Sequence, residues 1–223
     1  MFVTGASGFM GRALIEVLLE RGHRVRALVR SPPVRPFDHR VRVVFGDPLD
    51  RGTWQDAVEP ADSLVHLVGA PSPNPFKEAE FRRVDLRSLR EAVAAARLAH
   101  IQHFIYVSVA QPAPIMRAYV GVRREAEQEL AASGLPATVL RPWYVIGPGR
   151  RWPYVLLPLY FCLELFPPTR SGARRLGLVR LPQMVAALAG AVEGPADGYR
   201  VVEVPEIRAA RLPERVTFEP EVP

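Results

Sequence analysis

A single cysteine, Cys162, and a single lysine, Lys77, occur among the 223 residues. One cysteine closes no internal disulfide and builds no multi-cysteine metal site, so a reducing, cytoplasmic location is expected. The five histidines show no H-E-x-x-H or other ligand spacing, and no metal is expected. The leading MFVTGASG has no basic stretch followed by an apolar core, so no secretory signal is expected. Neither a G-x-S-x-G elbow nor a Walker loop is present, which argues against a hydrolase triad and a P-loop nucleotide site. No apolar run reaches the roughly 20 residues that span a bilayer. The nearest, Trp152 to Phe166, is interrupted by Pro153 and Pro158.

With 48% hydrophobic and 23% charged residues, the chain has the composition of a globular protein with a large core. Lys77 aside, the 29 basic residues are all arginine, and against 23 acids they leave a net charge of +6. That arginine bias, with 23 prolines, resembles the coding bias of a GC-rich genome. The arginines are spread along the chain and not interleaved with aromatics, so no nucleic-acid partner is expected, although anions are attracted.

Short apolar runs alternate with amphipathic stretches, the pattern of β-α-β units. Strands are expected at Phe2 to Thr4, Val25 to Val29, Val41 to Phe45, Leu64 to Val68, Phe104 to Val107 and Ala137 to Leu140. Helices are expected at Gly11 to Glu20, Phe81 to Ala99 and Tyr119 to Ala132, the last with Glu125, Glu127 and Glu129 on a solvated face. His66, inside an otherwise apolar strand, reads as a core residue, and Cys162 as a small hydrophobe. The fold class is therefore α/β, a doubly wound parallel sheet, with residues 1–149 as the core and 150–223 as a small capping portion of the same domain. In that second portion, Trp152 to Phe166 is expected to bury itself as a helix or lid over a cleft. Its flanking Arg150, Arg151, Arg170, Arg174 and Arg175 leave a membrane surface through 150–175 as the alternative. A helix at Leu181 to Val192, a last strand at Tyr199 to Val204 and a loosely packed tail from Pro205 complete the reading.

Between the first strand and the first helix stands Thr4-Gly5-Ala6-Ser7-Gly8-Phe9-Met10-Gly11, with glycines spaced G-x-x-G-x-x-G. Gly5 suits a tight turn, Gly8 lets the backbone approach a pyrophosphate, and Gly11 permits close helix–sheet packing. The helix N-terminus then offers N–H groups and a positive dipole end to the phosphates. This segment, DSLVHLVGA (Asp62 to Ala70), HFIYVS (His103 to Ser108) and ATVLRPWYVIGPG (Ala137 to Gly149) resemble the short-chain dehydrogenase/reductase superfamily. The likeness is to its extended and atypical branches, which include sugar-nucleotide epimerases, NmrA-like proteins and a complex I accessory subunit. It implies a Rossmann fold and a nicotinamide dinucleotide bound by Gly5, Ser7, Gly8, Phe9, Met10 and Gly11. By the same likeness Leu67, Val68, Gly69, Ser108, Tyr119, Pro142 and Val145 line the cofactor.

Strand two ends in Val29-Arg30-Ser31, where an acid would hold the ribose 2′-hydroxyl of NAD. Arg30 instead suits a 2′-phosphate, which favours NADP over NAD. Asp47-Pro48, after strand three, resembles the family's adenine-contacting acid. The catalytic Tyr-x-x-x-Lys of the family becomes Tyr119-Val120-Gly121-Val122-Arg123, with arginine in the lysine position. Ser108 is the nearest hydroxyl, while the family spacing points to Val109. Two readings stay open. One is an oxidoreductase or epimerase on a small carbonyl or sugar-nucleotide substrate, with Tyr119 donating the proton and Arg123 holding the ribose. The other is a non-catalytic NADP(H)-binding sensor or accessory module. The segments Pro71 to Lys77 and Trp143 to Leu157 are expected to select the small-molecule ligand.

Overall fold

The computed structural model describes residues 1–70, 77–113, 115–148 and 175–212. Its main sheet is built from β1 (Phe2–Thr4), β2 (Arg26–Val29), β3 (Arg42–Phe45), β4 (Ser63–His66), β5 (His103–Val107), β6 (Ala137–Arg141) and β9 (Tyr199–Glu203). These seven lie in the order β3-β2-β1-β4-β5-β6-β9, and every pairing is parallel. Beyond the carboxyl ends of β1 and β4 the winding reverses, and the connections diverge to leave a crevice. A second, small parallel pair joins β7 (Tyr144–Ile146) to β8 (Leu178–Arg180).

Both faces of the sheet are covered. On one side α1 (Phe9–Glu20) packs with α5 (Leu181–Glu193), sharing a core that includes Leu14, Leu18, Met184 and Leu188. On the other, α2 (Glu78–Phe81), α3 (Arg87–Leu98) and α4 (Arg117–Ala132) enclose Phe81, Leu89, Ala126 and Leu130. This double cover explains why β1 and β5 are buried at every position and are mostly apolar, with Thr4 and His103 as the polar exceptions. The outer strand β3, partly exposed throughout, carries Arg42 and Phe45 to the surface.

Four local differences from the sequence reading stand out. The strand expected to reach Val68 stops at His66, because Leu67 and Val68 turn to pass against Gly5. The second expected helix, Phe81 to Ala99, begins earlier, at Glu78, and contains a π turn at Arg82–Leu86. The stretch from Pro205 is not loose at its start: α6 (Val204–Ala209) has Pro205 in its first turn and buries Val204 and Ile207. Proline is compatible with that position because its missing N–H has no helical partner there. Glu127, expected in water, is only 4% exposed. It pairs with Arg141 at 2.5 Å and accepts a hydrogen bond from Gln111 at 2.8 Å. Trp152 to Phe166, the expected lid or interfacial segment, lies outside the described residues. Among those described, no helix is long and apolar enough to cross a membrane.

Candidate active site

The crevice begins at the glycine turn. Gly5 has φ +71, a left-handed conformation that costs a side-chain-bearing residue about 1–2 kcal/mol. A Cβ there would stand 2.8 Å from the Leu67 carbonyl carbon and 3.0 Å from the Val68 nitrogen. Gly11, buried in the first turn of α1, has equally little room: a Cβ would lie 2.7 Å from the Ala6 carbonyl oxygen. Gly8 caps α1 without a side-chain bond and donates its N–H to the Gly5 carbonyl at 3.0 Å. Ser7 and Gly8 are exposed, so bare backbone and a helix N-terminus face the crevice mouth. That surface fits a pyrophosphate. Met10 packs partly into the core under α1, and the Phe9 ring lies over Gly147, just beyond β7.

At the end of β2, Arg30 is exposed and has no hydrogen-bond or ion-pair partner among the described residues. Arg12, in α1, is already engaged, donating to the Arg35 carbonyl at 2.5 Å and lying over the Phe37 ring. Asp47, at the end of β3, accepts the Leu49 N–H at 3.0 Å through one carboxylate oxygen and remains exposed beside Pro48. Pro142 is buried, with its carbonyl accepting the Ala110 N–H at 2.9 Å; Val145 is partly buried in β7. Ser108, just past β5, is 3% exposed, and its Oγ has no partner among the described residues.

The centre of the site is a buried guanidinium. α4 sets Arg123 one turn after Tyr119, which puts both side chains on one helix face. Arg123 Nη2 meets Asp85 Oδ1 at 2.5 Å. Nη1 donates to the Tyr106 hydroxyl at 3.0 Å and to the Val107 carbonyl at 2.9 Å. The guanidinium carbon lies 5.3 Å from the Tyr119 ring centroid, and Phe81 meets the same ring edge-on at 5.0 Å. Burial pushes the Tyr119 phenol above its usual 10.0, and Arg123 beside it pulls the other way. The Tyr119 phenol is thus protonated at neutral pH, beside a cation that favours its ionised form.

Tyr119 and Arg123, paired in the sequence reading, come together, and the described contacts of the guanidinium run to Asp85, Tyr106, Val107 and the Tyr119 ring. Asp85 itself was missed. A signal existed: Phe81, Asp85 and Leu89 recur at intervals of four, and a lone carboxylate on an apolar stripe needs a buried cation. A second missed feature is a hydrogen-bond chain beneath the site. Thr4 Oγ1 lies 2.8 Å from His66 Nδ1, His66 Nε2 lies 3.2 Å from Ser88 Oγ, and Ser88 donates to the Asp85 carbonyl at 3.2 Å. Burial, then Arg123, lowers His66 to about 3, so the ring is neutral. With the Ser88 proton spent on Asp85, Nε2 carries the ring proton and Nδ1 accepts from Thr4. His66 is the core residue its strand position implied.

Residues 5–151 match the NAD(P)H-binding family. Over 208 residues the chain is 30% identical to a ceramide reductase of Caulobacter vibrioides, covering 92% of this chain and 64% of the relative. A second relative, the 4-hydroxy-2-methyl-3-oxo-4-farnesyl-3,4-dihydroquinoline-1-oxide ketoreductase of Stigmatella aurantiaca, is 30% identical over 66% of this chain and 50% of its own length. The chain thus spans less than two thirds of both. Among solved structures, the Bordetella bronchiseptica enzyme WbmH in complex with NAD+ superposes with a TM-score of 0.68 at 21% identity, covering 91% of this chain and 74% of that one. Glycine turn, strand order and family match agree: the chain belongs to the NAD(P)H-binding family, in the extended short-chain dehydrogenase/reductase superfamily.

Proposed function

We propose that the chain is an NADP(H)-dependent reductase of a lipophilic carbonyl compound. One observation carries this reading: an unbroken line of contacts runs from the phosphate turn to a proton donor. Gly5 abuts Leu67 and Val68, Gly69 abuts Arg123, and Arg123 lies over Tyr119. Bound NADPH would supply the hydride. The Ser7–Gly8 backbone and the start of α1 hold the pyrophosphate, and the unpaired Arg30 takes the 2′-phosphate. Tyr119 donates its proton to the carbonyl oxygen, and the Arg123 cation stabilises the resulting phenolate. The relatives' names support the substrate class, since one names a ceramide and the other a farnesyl-bearing ketone.

A second reading, a non-catalytic NADP(H)-binding module, is favoured by the inward direction of the Arg123 bonds. The experiment that separates the two follows NADPH absorbance with long-chain ketones and aldehydes. Substrate-dependent loss that disappears in Tyr119→Phe supports the reductase. NADPH binding without turnover for any of them supports the module.

A further inference from the structure

Neither cofactor binding nor proton donation accounts for the carboxylate of Asp85. It is fully buried in the π turn between α2 and α3, and π turns are rare and concentrate at functional sites. A buried ion pair is seldom explained by stability, because apolar side chains of similar volume usually serve the fold as well or better. The described bonds of this carboxylate all run toward the site. Oδ1 faces Arg123 Nη2 at 2.5 Å, and Oδ2 accepts the Ala70 N–H at 3.0 Å. Ala70 ends the segment whose start, Leu67, lies against Gly5.

We propose that Asp85 is a positioning residue, which holds the Arg123 guanidinium beneath Tyr119 and ties both to the Leu67–Ala70 segment. The inference rests on Tyr119 being the proton donor. Among the described residues, three charged or titratable groups surround Tyr119: Arg123 from its own helix, Asp85 from the π turn and Tyr106 from β5. Phe81 of α2 adds an apolar ring edge. Arg123 favours the phenolate and Asp85 opposes it, with the cation the stronger of the two. Asp85 therefore fixes where the cation sits and also tempers it, adding to the burial that keeps Tyr119 protonated.

The test titrates Tyr119 directly, by carbon NMR of ring-labelled tyrosine, with its resonance identified by loss in Tyr119→Phe. Asp85→Asn keeps an oxygen facing Arg123 and removes only the charge, so it is expected to lower the pH at which Tyr119 ionises and to move the alkaline limb of the kcat profile down with it. The double variant Asp85→Asn with Arg123→Gln is expected to raise that pH above the wild-type value. Shifts of opposite sign are not produced by a general loosening of the fold. If Asp85→Asn alone does not fold, the double variant, which buries no unpaired charge, is expected to fold, and its failure to fold as well would overturn the pairing of Asp85 with Arg123. Unchanged ionisation of Tyr119 in the variants that fold, or shifts in the same direction, would overturn the proposal. Full reductase activity in Tyr119→Phe would instead refute proton donation by Tyr119, and the titration would still decide whether Asp85 sets the balance at this phenol.

Discussion

The Arg123 guanidinium occupies the space that any side chain at Gly69 would need: its Nη2 lies 2.5 Å from where a Gly69 Cβ would stand. An arginine in place of the family's lysine is thus accommodated by a glycine on a different element. Gly69→Ala is expected to push Nη2 off Asp85 and to destabilise the fold by about 1–3 kcal/mol, the cost of leaving a buried polar group poorly paired. The check is a double-mutant cycle in urea. In an Arg123→Ala background the same substitution is expected to cost little, since the two residues are in contact.

Gly5→Ala combines a left-handed backbone with a Cβ pressed against Leu67. Conformation alone costs about 1–2 kcal/mol. The shift needed to relieve the contact moves the turn that receives the pyrophosphate. Calorimetric titration with NADPH is expected to give at least a tenfold loss of affinity, with a lowered melting temperature.

Arg30→Ala is expected to weaken NADPH binding roughly ten- to a hundred-fold, as a charge-assisted hydrogen bond worth about 1.5–3 kcal/mol predicts. NADH binding is expected to change little. Equal affinity of the wild type for the two cofactors would remove the argument from Arg30.

His66 gives stability a pH dependence. Its folded value of about 3 lies below the ordinary 6.5, so between those values the unfolded chain binds a proton that the folded chain does not. This contribution is complete above about pH 6.5 and is lost as pH falls, by up to about 1.4 kcal/mol per unit. His66→Gln keeps a polar side chain but removes the titration. Urea midpoints at pH 7 and pH 5 are expected to fall more steeply for the wild type than for this variant.

The parts of the fold that were legible in the sequence are those fixed by local spacing. The glycine turn, the apolar runs of β4 and β5 and the face of α1 each follow from residues within a dozen positions of one another. What was hidden depends on which faces meet. Glu127 lies in a run of acids that reads as solvated, and its partners Arg141 and Gln111 come from other segments. Asp85 sits among arginines in RRVDLRSLR, yet the arginine it binds is Arg123, from α4. Helical periodicity marked the buried stripe beneath Asp85 without naming the cation that answers it. Pro205 misled for a different reason, since the same residue that suits a loose tail also suits the first turn of a helix.

Hydride transfer tests the account most directly. The protein is incubated with NADPH deuterated at the transferred position and with long-chain ketones and aldehydes, and the alcohols formed are analysed by mass spectrometry. Deuterium is expected in the alcohol with the wild type, falling by about a hundredfold or more in Tyr119→Phe, the scale of a lost general acid. Binding of NADPH with no deuterium delivered to any of these carbonyls would contradict the reductase and leave a binding module.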